Sequence, residues 1–298
     1  MIKPMLAHKF DKSRVDWNEP VYMQPKLDGV RCIIYLDRKT MYHSRKMVAM
    51  SRTGKEFMNI NHIKKDLKLL FEDQPDMILD GELYNHELRD DFEQIISLVR
   101  KQKPTTDDRK RAKKLIQYHV YDYMWNDELN PEHIQLFNKL DYKERMDNLT
   151  CADFYSKHIR YVETHRVCKL EEAFNLHHDG FLAEGYEGSI LRLNKPYKFG
   201  RSYGLMKFKD FSDTEATIVG YEEGKGKRLG TLGKFLMQDD DGNQFGCPPG
   251  KGYNYGDLKC MLENIHKYMG QRATFTYFQR TNAGSYRHPL FKCIRNYE

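Results

Sequence analysis

The segment at residues 24–31, QPKLDGVR, most constrains what this chain can form. Apolar runs at 21–23 and 32–36 flank it, and such runs are typical of buried strands. Its proline ends the first strand, and its aspartate–glycine pair is a turn dipeptide. The sequence therefore predicts a strand, a turn and a second strand, with Lys26 at the end of the first strand and Arg31 re-entering the sheet beside it.

A lysine at such a strand end can serve as a nucleophile. An amine attacks only after it has lost its proton, and a free lysine has a pKa of about 10.4. A nucleophilic lysine therefore needs desolvation or a neighbouring cation, and Arg31 is one candidate. The octet alone also fits an ordinary charged surface hairpin, so the rest of the chain has to decide.

Composition limits the class of protein. The 298 residues allow one large domain or two, and 31% of them are charged. No apolar run approaches the roughly 20 residues of a membrane span, and the first residues lack the apolar stretch of a signal peptide, so we expect a cytoplasmic protein. Six cysteines without a CxxC pair argue against a disulfide framework or a structural zinc site. The net charge of +6 is compatible with a nucleic-acid partner but does not establish one.

Periodicity predicts an alternation of helices and strands up to residue 210. Helices are expected at 58–71 (with Asn59 or Asn61 as N-cap), 92–99, 131–148 and 169–182. Strands are expected at 77–83, 118–123, 159–167, 187–192 and 205–209. The run at 100–114 carries eight basic residues, and it is typical of a solvated loop or helix face, with DNA contact as the alternative.

The pattern changes after residue 211. Short strands are expected at 217–221, 234–238, 273–279 and 290–295, with Gly-rich turns between them and one helix at 258–269. This arrangement resembles a small OB-type β-barrel. We therefore expect an α+β chain with two domains, at 1–210 and 211–298.

Several side chains outside the octet suit phosphate chemistry. Lys207 and Lys209 share one face of a predicted strand, which fits phosphate oxygens or an exposed face. Glu82 and Glu187 each lie beside a glycine, where a carboxylate can hold a metal or a sugar hydroxyl. Tyr121 offers a flat ring for a purine, although aromatic core packing is commoner. Singly, each signal is weak.

The order of these motifs is what identifies a family. KxDGxR at 26–31 is followed by SRTG at 51–54, DGE at 80–82, YD at 121–122, EG at 187–188 and the lysines at 207 and 209. In this order the chain resembles the covalent nucleotidyltransferases, specifically small two-domain ATP-dependent DNA ligases of the viral and bacterial kind. The segments at 195–202 and 213–217 also look like ligase segments. The resemblance implies a nucleotidyltransferase domain of mainly antiparallel sheets with helices, followed by an OB-fold domain.

The resemblance implies that Lys26 attacks the α-phosphorus of ATP, releases pyrophosphate and holds AMP as a phosphoramidate. By the same resemblance, Arg31, Lys207 and Lys209 lower the pKa of Lys26 and neutralise the phosphates. Glu187 and Asp28 hold a metal, Mg²⁺ or Mn²⁺, and Asp28 acts in the later steps. The implied nucleotide-binding residues are Gln24, Lys26, Arg31, Glu82 (ribose hydroxyls), Tyr121 and Ile190 (opposite faces of adenine), Glu187, Lys207 and Lys209.

The implied partner is nicked duplex DNA, and a monomer is the default state. The sequence does not say whether sealing serves replication, repair or recombination. Arg52, Arg192 and Arg201 are expected to contact the nick 5′-phosphate or the AMP. The basic loop at 224–230 is expected to contact the DNA backbone through Lys225, Lys227 and Arg228, although a solvated hairpin tip is the alternative.

The sequence departs from the family pattern in two places. It has no RxDK element near its end, and Arg295 lies roughly where a looser form would fall. Because Lys26 lies so close to the start, we also expect no N-terminal DNA-binding domain. Three alternatives remain: an mRNA-capping guanylyltransferase, which would use GTP, an RNA ligase, and a non-catalytic nucleic-acid-binding protein on the same scaffold.

Overall fold

The computed structural model describes residues 2–37, 46–125, 139–151, 156–209, 212–250, 252–277, 280 and 284–295. The chain divides into two units, Met1–Phe208 and Lys209–Glu298. Among the described residues, no helix combines the length and the apolar character that crossing a bilayer requires.

Two five-stranded sheets form the larger unit. The first sheet has the order β1-β10-β9-β2-β8, and its strands are β1 (Met5–Lys9), β2 (Val21–Pro25), β8 (His165–Val167), β9 (Ser189–Leu193) and β10 (Gly200–Phe208). The second has the order β4-β3-β5-β6-β7, with β3 (Val30–Asp37), β4 (Lys46–Ser51), β5 (Met77–Tyr84), β6 (Gln117–Trp125) and β7 (Ile159–Tyr161). Only the β1–β10 and β6–β7 pairs are parallel among these described strands, so the expectation of mainly antiparallel sheets is confirmed.

The sheets face each other across a shared apolar layer. Met5 and Leu205 come from the first sheet and meet Ile33, Ile78 and Met124 from the second. Helices cover the outer face of each sheet. Helices α1 (Asn61–Asp66), α2 (Lys68–Asp73), α3 (Phe92–Val99), α4 (Thr106–Leu115) and α5 (Tyr142–Cys151) belong with the second sheet, and α6 (Leu170–Asn175) with a π-helical turn, Leu176–Leu182, belongs with the first.

Three predicted elements differ from the structure. The strand expected at 159–167 is two strands, β7 and β8, that join different sheets, because strand propensity does not specify the pairing partner. The helix expected at 58–71 is divided into α1 and α2, and the one expected at 169–182 changes from α-helix to π-helix after Asn175. The helix expected at 131–148 lies partly outside the described residues, and its described part is α5.

The N-cap prediction for the first helix is wrong. Ile60 occupies the cap position, and no side chain bonds there. Asn59 is buried instead, and its Nδ2 donates to the carbonyl oxygens of Leu98, at 2.9 Å, and Asp108, at 3.3 Å. A buried amide that ties two other segments together is unavailable as a cap.

The basic run forms a helix with its own cap. Helix α4 begins at a capping box in which Thr105 and Asp108 exchange side-chain and backbone hydrogen bonds. Most of its basic residues are exposed, while Ala112 is buried against the core of the second sheet. The run is therefore a helix face, as expected.

The smaller unit is a five-stranded antiparallel sheet wrapped towards closure. Its order is β13-β12-β11-β14-β15, with β11 (Ser212–Glu223), β12 (Leu232–Gln238), β13 (Gln244–Cys247), β14 (Arg272–Tyr277) and β15 (Leu290–Ile294). Phe291 N donates to Pro248 O at 2.8 Å, and Gly250 N donates to Phe291 O at 2.9 Å, so the two edges of the sheet meet. Helix α7 (Tyr255–Glu263) packs Leu258 and Met261 into the core. The sequence predicted four of these strands and missed β13, which has only four residues.

Candidate active site

Lys26 lies at the end of β2, as the sequence predicts. Contrary to expectation, Arg31 does not re-enter the same sheet; it lies on β3 in the second sheet, because the turn after Lys26 carries the chain from one sheet to the other. Its backbone N donates to Gly188 O at 2.8 Å, and Glu187 N donates to Lys26 O at 3.2 Å. A Cβ at Gly29 would lie 2.5 Å from Leu83 O, so the turn that follows the lysine can approach β5 only because glycine stands there. These contacts fix the lysine beside the segment that carries Glu187.

The ammonium of Lys26 forms an ion pair with the carboxylate of Glu187. The Glu187 side chain is only 4% exposed, and that of Lys26 is 21% exposed. An opposite charge in contact favours the protonated amine. An amine paired in this way has to lose its proton before it can act as a nucleophile.

Arg31 is held by a partner that the sequence did not assign to it. Its Nε donates to Asp80 Oδ1 at 2.9 Å, and its Nη1 donates to Met5 O at 2.6 Å. Tyr197 donates its hydroxyl to Asp80 Oδ2 at 2.7 Å, and Asp80 is fully buried. Much of the charge of Arg31 is therefore balanced by Asp80, and its guanidinium is fixed in place.

Glu82 lies opposite Arg31 in the register of β3 and β5. Burial raises the pKa of the Glu82 carboxyl from its usual 4.5 to about 7, while the positive charges of Lys26 and Arg31 act in the opposite direction. The carboxyl is thus near half protonation at neutral pH. It can donate as well as accept hydrogen bonds there.

The raised pKa of Glu82 predicts a pH-dependent stability. Between pH 4.5 and 7 the folded carboxyl keeps a proton that the unfolded chain releases, so the free energy of unfolding falls as the pH rises. We expect wild type to lose about 1–2 kcal/mol more than Glu82→Gln between pH 5 and pH 8, after allowance for partial solvent screening. Urea titrations at the two pH values measure this. Other titrating groups cancel in the comparison, and equal losses in both proteins would contradict the prediction.

Tyr121 occupies a β-bulge. Asp80 pairs with Asp122 while Gly81 pairs with Val120, so Tyr121 is the extra residue of β6. The guanidinium carbons of Arg31 and Arg192 lie 5.6 and 5.3 Å from its ring centroid. Bulges re-aim side chains and are frequent beside active sites.

Asp122 organises a buried network behind that ring. The carboxylate is fully buried, and it accepts from Arg145 Nε at 2.8 Å and from Arg192 Nη1 at 2.7 Å. Arg192 Nε also donates to Gln24 Oε1 at 2.6 Å. Gln24 and Arg192 are 2% and 4% exposed, so the structure places both inside the fold, although the sequence assigned Arg192 to a phosphate.

The remaining predicted residues are divided between the two units. Lys207 is partly buried on β10, opposite Ile190 on β9. Asp28 is half-buried in the turn after Lys26, whereas Arg52 and Arg201 are exposed, and Arg201 donates to Ala7 O at 2.9 Å. Lys209, Lys225, Lys227, Arg228 and Arg295 belong to the smaller unit.

In the smaller unit, the basic loop forms a 3₁₀ turn at Gly226–Arg228 with exposed cations. Arg295 Nε lies 3.1 Å from Glu215 Oε1, an ion pair on the barrel itself.

The structure thus gathers Lys26, Arg31, Glu82, Tyr121 and Glu187 in one part of the larger unit. Sequence reasoning included Asp80, Asp122 and Tyr197 in motifs without giving them a role, and it missed Arg145. The signal for the two aspartates is their place in buried strands, where a carboxylate needs a paired cation.

The fold and this group of residues define a covalent nucleotidyltransferase domain followed by an OB-like domain. A family model described as an ATP dependent DNA ligase domain matches residues 4–209, and one described as a DNA ligase OB-like domain matches residues 223–295. The chain belongs to the ATP-dependent DNA ligase family.

Curated relatives agree with that membership. The DNA ligase of African swine fever virus, isolate Tick/South Africa/Pretoriuskop Pr4/1996, is 32% identical over 246 residues, which are 78% of this chain and 52% of the relative. This chain thus spans about half the length of the curated relatives it matches.

Two solved structures share the fold. A Lig E DNA ligase, described as binding DNA with a minimal scaffold, matches this structure with a TM-score of 0.74 at 21% sequence identity. The match covers 99% of this chain and 100% of the Lig E chain. The bacteriophage T7 ATP-dependent DNA ligase, in complex with ATP, has a TM-score of 0.57 at 20% identity and covers 98% of each chain.

Proposed function

We propose that this protein is an ATP-dependent DNA ligase that seals nicks between a 3′-hydroxyl and a 5′-phosphate in duplex DNA. The observation that carries the proposal is the position of Lys26, fixed at a strand end against Glu187 and close to Arg31 and Glu82. Membership of the ligase family supports it. Residues 1–210 are the adenylation domain in this proposal, and 211–298 are the OB-fold domain.

In the first step, the amine of Lys26 attacks the α-phosphorus of ATP. A P–N bond forms, the bond to pyrophosphate breaks, and the amine gives up its proton. Arg31, Lys207 and Lys209 supply positive charge for the phosphates, which suits a reaction that depends on positioning and electrostatics. Glu82 accepts from the ribose hydroxyls, and Tyr121 and Ile190 hold the adenine, with Gln24 supporting the site from within the fold.

The carboxylates of Glu187 and Asp28 could contribute to binding a divalent cation whose other ligands come mainly from the substrate. The described residues contain no group of three or more His, Cys, Asp or Glu side chains arranged to hold a metal. Mg²⁺ typically takes one or two carboxylates and completes its shell with phosphate oxygens and water. Glu187 and Asp28 would be those carboxylates, and the ion would shield charge on the triphosphate.

The later steps use DNA. The 5′-phosphate of the nick takes the AMP from Lys26, and the 3′-hydroxyl then displaces AMP and forms the phosphodiester bond. In this proposal Arg52 and Arg201, which are exposed, meet phosphates of the DNA or the AMP. Lys225, Lys227 and Arg228 on the smaller unit give salt-sensitive contact with the backbone. Arg192 acts from its buried network, behind Tyr121, and a monomer is sufficient for all three steps.

The test is intact mass of the protein after incubation with ATP and Mg²⁺, beside GTP and Mg²⁺. The protein is first stripped of bound AMP with pyrophosphate. We expect one AMP from ATP and nothing from GTP, with peptide mapping placing the label on Lys26. Labelled protein should seal a nick that carries a 5′-phosphate and leave a nick with a 5′-hydroxyl open. A GMP adduct, or no adduct at all, would overturn the proposal.

A further inference from the structure

A second polar cleft lies in the helix layer, on the side of the second sheet that faces away from the first sheet. Its volume is about 420 Å³, which is in the range of small-molecule sites. Asn59 and residues of α1 and α4 line it, together with Lys157 and His158. None of the residues assigned to adenylation belongs to it, and Arg109 and Lys113 come from the basic run for which DNA contact was the alternative.

The rim of this cleft is cationic. Lys65, Arg109, Lys113 and Lys157 line it and are exposed. Within the described parts of the chain, none of these four groups forms an ion pair. Four cations without an ion pair around one concavity favour an anionic ligand, and phosphate is a common ligand of lysine and arginine in proteins.

The one carboxylate in the cleft does not neutralise that rim. Asp66 Oδ2 accepts from Ser156 Oγ at 2.7 Å and lies 2.8 Å from His158 Nδ1. His158 Nε2 in turn donates to Lys113 O at 3.1 Å. The Asp66 carboxylate therefore interacts with His158 inside the fold. It does not neutralise the lysines and the arginine at the rim, which can bind an anionic ligand.

The inner wall carries hydrogen-bond acceptors. Asn59 is 1% exposed and its Oδ1 has no hydrogen-bond partner among the described residues, although its Nδ2 donates to two carbonyl oxygens. The amide cannot be flipped without breaking both bonds. His62 donates from Nε2 to Ile116 O at 3.0 Å, and burial lowers its pKa to about 4, so Nδ1 is a bare acceptor at neutral pH.

The cations at the rim favour an anionic group, and the unsatisfied Asn59 Oδ1 and the unprotonated His62 Nδ1 favour a hydrogen-bond donor on the same ligand. A buried acceptor without a partner is costly, so a ligand that brings an N–H or O–H group gains affinity there. The DNA backbone offers only acceptors and has no such donor. We propose that this cleft is a second binding site, separate from the adenylation site, for a nucleoside phosphate, with its phosphates at the rim and its base or sugar donors at Asn59 and His62.

The test compares ADP binding to three proteins by equilibrium dialysis. Arg109→Ala/Lys113→Ala removes two rim cations, and Lys110→Ala/Lys114→Ala is the matched control, because those lysines are exposed on the same helix but do not line the cleft. We expect the first variant to lose one equivalent of bound ADP, with affinity at that site reduced at least about tenfold, and the control to bind as wild type does. Equal binding by all three proteins would overturn the proposal.

Two further probes define the ligand class. Pyrophosphate should bind the cleft at least about tenfold more weakly than ADP, because it brings no donor group to the inner acceptors. Equal affinity would show a simple anion site and contradict the proposal, as would full displacement of ADP from the cleft by duplex DNA. Labelling of Lys26 by ATP should be unchanged in Arg109→Ala/Lys113→Ala, so this result is independent of the ligase proposal.

Discussion

Lys26→Arg is expected to lower the rate of AMP attachment by more than about 1,000-fold, which is the scale for removal of a covalent nucleophile. Arginine stays protonated at any pH that a protein tolerates, so it has no lone pair with which to attack phosphorus. It keeps the positive charge, however, and can retain an ion pair with Glu187. The substitution therefore removes the chemistry and preserves the electrostatics of the site.

Arginine is a better choice than alanine because of the burial of Glu187. Its carboxylate is 4% exposed, so Lys26→Ala would leave a buried charge without its cation. Loss of one member of a buried pair destabilises a protein on its own account. A lost activity in Lys26→Ala would then have two explanations, whereas the arginine variant has one.

The measurement is AMP incorporation by intact mass, followed by sealing of two nicked duplexes. One duplex carries an ordinary 5′-phosphate, and the other carries a 5′-phosphate that is already adenylated. Lys26→Arg should fail on the first and seal the second within about tenfold of wild type, because the last step does not use the lysine nucleophile. Lys12→Arg, an exposed lysine in the same unit, is the control. Normal AMP incorporation by Lys26→Arg would exclude Lys26 as the nucleophile.

The position of Lys26 could be predicted because its determinants are local. Apolar runs, a proline and an aspartate–glycine pair within a dozen residues define the strand end and the turn. The alternation of buried and exposed residues at Lys207 follows from the same short-range rules. The basic run at 100–114 is compatible with both a loop and a helix face, and its capping box at Thr105 was not recognised from the sequence. The order of the motifs along the chain then indicated the protein family.

The partners of the charged residues could not be predicted, because they are set by tertiary contacts. Arg31 meets Asp80 across 49 positions, and Arg192 meets Asp122 across 70. The spacing of these residues along the chain does not predict which aspartate forms an ion pair with which arginine. The β-bulge at Tyr121 could not be predicted either, because one extra residue in a strand does not change the hydrophobic pattern enough to be recognised.

The same limit explains the two divided elements. Residues 159–167 have strand propensity throughout, but the chain passes from the second sheet to the first between Tyr161 and His165. The buried side chain of Gln24 reaches across that passage, and its Nε2 donates to Thr164 Oγ1 at 2.9 Å. Strand propensity therefore predicts an extended segment here, but the packing of the two sheets determines which neighbouring strand β7 and β8 each pair with.

Asp122→Ala is expected to lower the free energy of unfolding by about 3–5 kcal/mol, the usual range when one partner of a buried ion pair is removed. Asp122 is fully buried and receives both Arg145 and Arg192, whose side chains are 3% and 5% exposed. Without the carboxylate, two guanidinium groups remain buried with no opposite charge between them. Urea denaturation of the full chain measures the loss.

Asp147→Ala is the matched control. Asp147 lies on α5, the helix that carries Arg145, and its ion pair with Lys143 is 59% exposed on both sides. Exposed ion pairs contribute little to stability, so the free energy of unfolding of this variant should equal that of wild type. If Asp122→Ala leaves too little folded protein, Asp122→Asn keeps the shape and one acceptor oxygen, and it should fall between the two. A stability of Asp122→Ala equal to that of Asp147→Ala would show that water or another acceptor satisfies the arginines. Tyr121, whose ring lies against Arg192, would then be positioned without the Asp122 network.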